Sequence, residues 1–214
     1  APSDYAPPLC YGSYTKGRGV RRSGVANAGW YAGARLPPWR AKMLSSMRII
    51  SWNIRAGGGR RIEWIVAAID GWQSDIVALS KFRATPASDW LAEALADIGL
   101  QHQLTTADPS APAVNALLLA SRRPVTPPAL RPQPQLKQRA LAAIVDEPEP
   151  LFVVAVHGPL GASSLRRPFN RRILRYLARW RGRPGVLVGD ANAGKGGVDE
   201  ESPAFNAEDD EWMD

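Results

Sequence analysis

The segment Gly185-Val-Leu-Val-Gly-Asp-Ala-Asn192 decides how the rest of this sequence is interpreted. The apolar run at residues 186–188 predicts a short strand, and Gly189 then leads to two polar residues, Asp190 and Asn192. Alternate residues of a strand point the same way, so these two side chains are expected to lie together just beyond the strand. A paired carboxylate and amide suit a hard cation such as Mg2+ or the oxygens of a phosphate. An Asx-type turn after a buried strand is the alternative explanation.

The composition indicates one folded body with an uneven charge. The 214 residues are 45% apolar and carry a net charge of +7, and this length fits a single domain with a real core. Residues 1–46 contribute +6, residues 47–183 contribute +9 and residues 184–214 contribute −8. A basic body fits an anionic partner, although a genome that uses arginine freely explains it equally well.

Several classes of protein are excluded or disfavoured by simple features. No run of about 18 apolar residues appears, so no membrane-spanning helix is expected. The single cysteine, Cys10, allows neither an intramolecular disulfide nor a cysteine-rich metal site. No signal peptide is visible, and a cytoplasmic location is the resulting expectation. Nothing in the sequence indicates the oligomeric state.

The first 46 residues differ in character from the rest. They are rich in Gly, Pro, Ser, Tyr and Arg and show no sustained period of 2 or 3.6, so no packed core is expected there. A strand pattern begins directly after Met47. Our hypothesis is that Met47 is the natural start and that residues 1–46 are upstream translation, a cloning scar or a disordered arm. The alternative is a genuine extension that binds nucleic acid.

The remaining chain alternates between predicted strands and helices, which is typical of the α/β class. Strands are expected at residues 48–52, 75–79, 101–105, 114–121, 140–146, 151–157 and 185–190. Helices are expected at residues 61–72, from a cap at Ser88 to a stop at Gly99, and at 165–180. Prolines make residues 124–138 loop or extended chain, and a turn is expected at residues 147–150. The strand ends are polar, which places a site at one end of the sheet: Asn53, Lys81, His157 and Asp190.

Four segments, taken in order, resemble the endonuclease/exonuclease/phosphatase superfamily, which has the deoxyribonuclease-I-like fold. They are Ser51-Trp-Asn-Ile-Arg55, Asp75-Ile-Val-Ala-Leu-Ser-Lys-Phe-Arg83, Val156-His-Gly-Pro159 and Val188-Gly-Asp-Ala-Asn192. Their order and spacing carry the resemblance, which covers residues 47–214. It implies a four-layer sandwich of two β-sheets flanked by helices. It also implies hydrolysis of phosphodiesters or phosphomonoesters with Mg2+ or Mn2+, on a phosphate-bearing substrate such as nucleic acid.

The same resemblance assigns roles residue by residue. The implied metal-holding side chains are Asn53, Asp190 and Asn192. Asp190 and Asn192 would also orient the nucleophilic water, and His157 would serve as acid or phosphate ligand. Two residues fall on the substrate side, namely Asn115 and Arg55. Such a set makes chemical sense, because a cation and hydrogen-bond donors stabilise a crowded anionic transition state.

This chain departs from the family at two places. Lys81 stands where the family has a glutamate as its main metal ligand. Its ammonium would repel a cation at 4 Å by about 4 kcal/mol per unit charge at an effective dielectric near 20. The alternative is that Lys81 replaces the metal as an electrostatic stabiliser. The family's final Ser-Asp-His is also absent before Asp214, so the domain at residues 47–214 is expected to be incomplete at its C-terminus.

Two functions follow as hypotheses. The first is a divalent-metal-dependent phosphoester hydrolase of nuclease or phosphodiesterase type. The second is a catalytically inactive, truncated relative that only binds phosphate-bearing ligands. His102 is expected to be structural or exposed. The arginine-rich helix at residues 165–180 fits a solvated face better than a nucleic-acid clamp.

Overall fold

The computed structural model describes residues 47–128, 136–146, 150–159 and 164–193. Strands in this part are β1 (Ile49–Asn53), β2 (Ile76–Phe82), β3 (His102–Thr105), β4 (Ala116–Ser121), β5 (Val125–Thr126), β6 (Ala140–Val145), β7 (Leu151–His157) and β8 (Gly185–Asp190). The α-helices are α1 (Ile62–Gly71), α2 (Pro86–Asp97) and α3 (Arg166–Arg179). The expectations for residues 1–46, for most of the turn at 147–150 and for the acidic segment after 193 lie outside the described residues.

Helix α2 begins earlier than its sequence pattern predicts. Thr85, not Ser88, is the N-cap, and its hydroxyl oxygen accepts a hydrogen bond from the Ser88 backbone N–H at 3.4 Å. Pro86 occupies the first helical position, where its missing N–H costs nothing. Ser88 therefore lies inside the first turn and is buried. Threonine and serine are both good caps, and the proline is the feature that favours Thr85.

Strand β2 is longer than expected, and this changes the setting of Lys81. Pairing with β4 continues past Leu79 to the partners Phe82 and Ala116, with a register shift between Ser80 and Phe82. The shift is a β-bulge, in which one strand has an extra residue. Lys81 is thus part of the strand and not of the loop that follows it.

The strands form two four-stranded sheets with the orders β1-β2-β4-β3 and β5-β6-β7-β8. Each sheet contains one parallel pair, β1 with β2 and β7 with β8, and its other pairs are antiparallel. Helix α1 connects the first parallel pair and α3 connects the second. In such β-α-β units the carboxyl ends of both strands lie at the same sheet edge. Each sheet therefore presents one edge with two strand ends.

Three apolar clusters separate four layers of secondary structure. Val77 and Leu79 of β2 pack against α1 and α2, whereas Ile76 and Ala78 face the second sheet. This alternation follows from the two-residue period of a strand. Phe169 of α3 belongs to a third cluster, on the outer face of the second sheet. The predicted four-layer α/β sandwich is confirmed. Within the described ranges, no helix is long and apolar enough to cross a membrane.

Candidate functional site

The carboxyl ends of the two parallel strand pairs meet at one place. The Asn53 side-chain amide, at the end of β1, donates a hydrogen bond to Asp190 Oδ2 at 2.8 Å, at the end of β8. His157 is the register partner of Asp190 in the second sheet, and Ser80 is the partner of Asn53 in the first. The carboxyl ends of four strands from two sheets thus surround a single polar site. Asn53 and Asp190, which join the two sheets, are 137 residues apart in the sequence.

Hydrogen bonds lock the chain just beyond β7 and β8. The Gly158 backbone N–H donates to the Asp190 carbonyl at 2.7 Å. The Asn192 N–H donates to Asp190 Oδ1 at 3.1 Å, and the Asn192 side-chain amide donates to the Gly158 carbonyl at 2.6 Å. The first of these Asn192 bonds has the spacing of an Asx turn. The turn and the polar cluster therefore coexist, because the turn fixes the Asp190 carboxylate beside Asn53.

Two glycines let β7 and β8 approach this closely. A Cβ atom at Gly189, where φ is +136°, would meet the backbone of Val156. A Cβ atom at Gly158 would meet the backbone of Ala191. Only glycine combines this φ with so little space. The glycines are thus a structural requirement of the Asp190 position.

His157 is buried and electrically neutral. Its exposed fraction is 2%, and its Nδ1 atom has no hydrogen-bond partner among the described residues. Burial lowers the pKa of His157 to about 4, and the charges of Arg139 and Lys81 act in the same direction. The Asp190 carboxylate opposes them. Near neutral pH the ring is therefore an uncharged imidazole, which can donate one hydrogen bond and accept another.

Lys81 lies on the bulge of β2 with an unusual backbone. Its φ is +63°, a left-handed conformation that is uncommon for residues other than glycine. Its carbonyl accepts a hydrogen bond from the Gly57 N–H at 2.7 Å. It is the one residue of β2 that is not fully buried. Its charge lowers the pKa of His157, which places the ammonium in the electrostatic environment of the site.

Two arginines that the sequence did not single out support the site. Arg139 Nη1 donates to the carbonyl of Gly158 at 2.9 Å and to that of His157 at 3.4 Å. Arg166, which is 6% exposed, donates from Nη2 to the Asn192 carbonyl at 2.7 Å. The pairing of Ala140 with Val156 places Arg139 beside His157. To predict from the sequence that Arg139 lies beside His157, one would have to know the antiparallel register of β6 and β7.

The two residues expected on the substrate side lie at the same edge but away from the centre. Asn115 Oδ1 accepts a hydrogen bond from Arg83 Nε at 3.0 Å. Arg55 is exposed, and its backbone N–H donates to Asn53 Oδ1 at 3.2 Å. Their roles stay predictions. His102 pairs with Ser121 at the far end of the first sheet, well away from the site.

The described residues do not fit a divalent cation by themselves. They contain no group of three or more His, Cys, Asp or Glu side chains that could hold a metal ion. Among the described residues, Asp190 is the one carboxylate at these strand ends, and each of its oxygens accepts one hydrogen bond, from Asn53 or from Asn192. Lys81 and Arg139 add two positive charges nearby. A divalent cation binds through several oxygen ligands of negative charge, and this set favours an anion instead.

Comparison with known proteins agrees with this architecture. A sequence model described as the Endonuclease/Exonuclease/phosphatase family matches residues 50–207, which is more than half of the chain. Asn53, Lys81, His157 and Asp190 all fall inside the matched region. No curated protein sequence matches the chain significantly.

Solved structures share the fold at low sequence identity. An endonuclease/exonuclease/phosphatase from Beutenbergia cavernae is 24% identical, with a TM-score of 0.54, over 78% of this chain and 53% of that one. This chain therefore spans about half the length of that protein. The 3′ phosphatase NExo from Neisseria, bound to a product DNA hairpin, is 20% identical with a TM-score of 0.61, over 78% and 69% of the two chains. An AP endonuclease from Archaeoglobus fulgidus is 17% identical with a TM-score of 0.60, over 78% and 68%.

Proposed function

Because the chain belongs to the Endonuclease/Exonuclease/phosphatase family, we propose that it is a phosphoester hydrolase of nuclease or phosphodiesterase type. The observation that carries the proposal is the hydrogen bond between Asn53 and Asp190. This bond joins the two sheets at the Asp190 carboxylate. His157 of β7 lies directly beside it, as the register partner of Asp190 in β8. Phosphoester hydrolysis needs a polar site of this kind, where anionic charge that develops on phosphate oxygens meets fixed donors.

The site residues divide the chemistry between them. The Lys81 and Arg139 charges stabilise the phosphate and the additional charge of the transition state. Neutral His157 donates a hydrogen bond to a phosphate oxygen or exchanges a proton with the attacking water or leaving group. Asp190, fixed by Asn53 and Asn192, orients that water by accepting its hydrogen bond. The sequence predicts dependence on Mg2+ or Mn2+, but the side chains of the described site do not fit such an ion. No step proposed here therefore uses a metal.

We propose a nucleic acid as the substrate. Residues 47–183 carry a net charge of +9, which favours association with a polyanion. The Neisseria structure, whose fold is similar, contains a DNA product. To test this, hydrolysis rates are compared on a short DNA duplex with a free 3′ phosphate and on a soluble aryl phosphodiester. A faster rate on the DNA would support a nucleic-acid substrate. A cytoplasmic location stays a prediction from the sequence.

The test is a hydrolysis assay on the full 214-residue chain with Asp190→Asn as the site variant. The substitution keeps a hydrogen-bonding side chain but removes the negative charge, and we expect the rate to fall by about a hundredfold. Asp70→Asn, at an exposed position of α1, is the matched control and should keep the full rate. Equal rates for the two variants would show that turnover does not use this site.

A second function, phosphate binding without turnover, is favoured by the setting of Lys81. Its ammonium, on the bulge of β2, gives the site the charge of a phosphate receptor. Absence of hydrolysis in every metal condition, combined with saturable binding of phosphate esters, would support this second function over the first.

A further inference from the structure

The charged residues around His157 favour the binding of an anion. Three charged residues lie around it in the structure. Asp190 is its register partner, Arg139 donates a hydrogen bond to its carbonyl, and Lys81 follows Ser80, the register partner of Asn53. Two of these charges are positive and one is negative. A phosphate monoester or inorganic phosphate carries between one and two negative charges near neutral pH. Binding such a ligand would neutralise the excess positive charge of the site.

Lys81 has the backbone and the surroundings of a ligand-binding cation. A β-bulge and a left-handed φ of +63° hold it away from the regular course of β2. Bulges beside functional sites redirect side chains, and a strained conformation persists only where its surroundings maintain it. No carboxylate or carbonyl within the described residues accepts a hydrogen bond or ion pair from its Nζ. Within the described residues the ammonium is therefore uncommitted, and it has three donors to offer a ligand.

His157 provides an independent observation that a ligand atom belongs here. The side chain is 2% exposed, yet its Nδ1 lacks a partner in the described part of the chain. Buried polar atoms are almost always hydrogen-bonded. A phosphate oxygen would accept a hydrogen bond from Nδ1 in the tautomer that carries its proton there.

From these observations we propose that Lys81 and His157 hold the substrate phosphate directly, so that this chain binds phosphate without a divalent cation. The inference rests on the proposed phosphoester site and names the group that takes the place of a metal in it. Arg139 acts from a greater distance: its Nη1 donates to the carbonyls of His157 and Gly158, and its charge adds to the positive potential that the phosphate meets. No covalent step is involved in the binding itself.

The experiment measures binding of inorganic phosphate by calorimetry, with a chelator and then with excess Mg2+ or Mn2+. We expect the dissociation constant of the wild type to be the same in all conditions within about twofold. Lys81→Gln should weaken binding by roughly tenfold or more, since a charged hydrogen-bond donor is lost. Lys137→Gln, at an exposed lysine whose charge acts on Asp108, is the control and should bind like the wild type.

Two further variants guard against misfolding as an explanation. Lys81→Arg retains the charge and should retain phosphate binding. Lys81→Glu should lose phosphate binding and gain affinity for Mn2+. Electron paramagnetic resonance of the manganese ion measures that affinity. Far-ultraviolet circular dichroism shows which variants are folded. Should Lys81→Gln misfold, the comparison of Lys81→Arg with Lys81→Glu decides the question.

The outcomes separate this inference from the proposed hydrolase. Phosphate binding that requires Mg2+ or Mn2+ in the wild type would overturn the inference, even if hydrolysis is observed. Equal binding by Lys81→Gln and Lys137→Gln would overturn it as well. Metal-free, Lys81-dependent binding without any hydrolysis would support the inference and refute the hydrolase proposal.

Discussion

At the scale of single residues, the position of His157 in the fold determines its protonation state. A histidine at a strand end is ordinarily half protonated near pH 6.5. Here burial and two nearby cations lower its pKa to about 4, while Asp190 beside it is held by the amide of Asn53. The ring is consequently a neutral hydrogen-bonding group, and its buried Nδ1 has no partner among the described residues.

The same shift predicts how stability depends on pH. The imidazole titrates near 6.5 when unfolded and near 4 when folded, so between these values the unfolded state binds more protons. The free energy of unfolding should therefore fall as the pH is lowered through this window, by on the order of 3 kcal/mol in total. Urea unfolding at about pH 7 and about pH 5 should show a smaller loss for His157→Gln than for the wild type.

His102→Gln serves as the control for this experiment, because His102 lies at the far end of the first sheet. It should lose as much stability as the wild type between the two pH values. A loss that is identical in all three proteins would assign the pH dependence to other groups.

At the scale of elements, the site is made by two strand–helix–strand units and the close contact of β7 with β8. Apolar runs and the polar residues that end them made the ends of β1, β7 and β8 predictable from the sequence, whereas the end of β2 was expected too early. The bulge at Lys81 was not predictable, because it depends on pairing with β4. Arg139 was missed for a similar reason, since its place beside His157 depends on the register of β6 and β7. Local patterns specify elements, whereas register is a property of their association.

The close contact of β7 and β8 makes Gly189→Ala a sensitive substitution. The new methyl group would meet the Val156 backbone, and φ at this position is +136°. We expect a loss of about 2 kcal/mol or more in the free energy of unfolding. Gly71→Ala has open space around the added methyl group and should leave stability unchanged or slightly higher. Denaturant unfolding measures both, and equal effects would show that β8 shifts to accommodate the methyl group.

At the scale of the whole molecule, the inter-sheet core holds the two halves of the site together. Ile76, Ala78, Leu117 and Leu119 from the first sheet meet Val153 and Ala155 from the second in one buried cluster. The hydrogen bond between Asn53 and Asp190 joins the same two sheets at their edge. Packing of the sheets is therefore a condition for the geometry of the site. The continuous apolar runs predicted buried strands, but a run that is buried on both faces does not show which of its residues meet the other sheet.

Leu119→Ala tests this dependence. Leu119 has an exposed fraction of 0%, and removal of its side chain leaves a cavity between the sheets that should cost about 2–5 kcal/mol. Leu174→Ala removes the same atoms from a side chain that is 51% exposed and should change stability by less than about 0.5 kcal/mol. Chemical unfolding gives both values. A small effect at Leu119 would mean that the sheets repack without loss.

Three indole rings beside the site give it an optical signature. Trp52 directly precedes Asn53, and its ring centroid lies 5.4 Å from that of Trp64 and 5.3 Å from that of Trp72. Indole rings this close and mutually tilted couple their electronic transitions, which gives the cluster a circular dichroism signal of its own. Because Trp52 and Asn53 are neighbours in β1, this signal reports whether the strand that carries Asn53 is folded, without any added label.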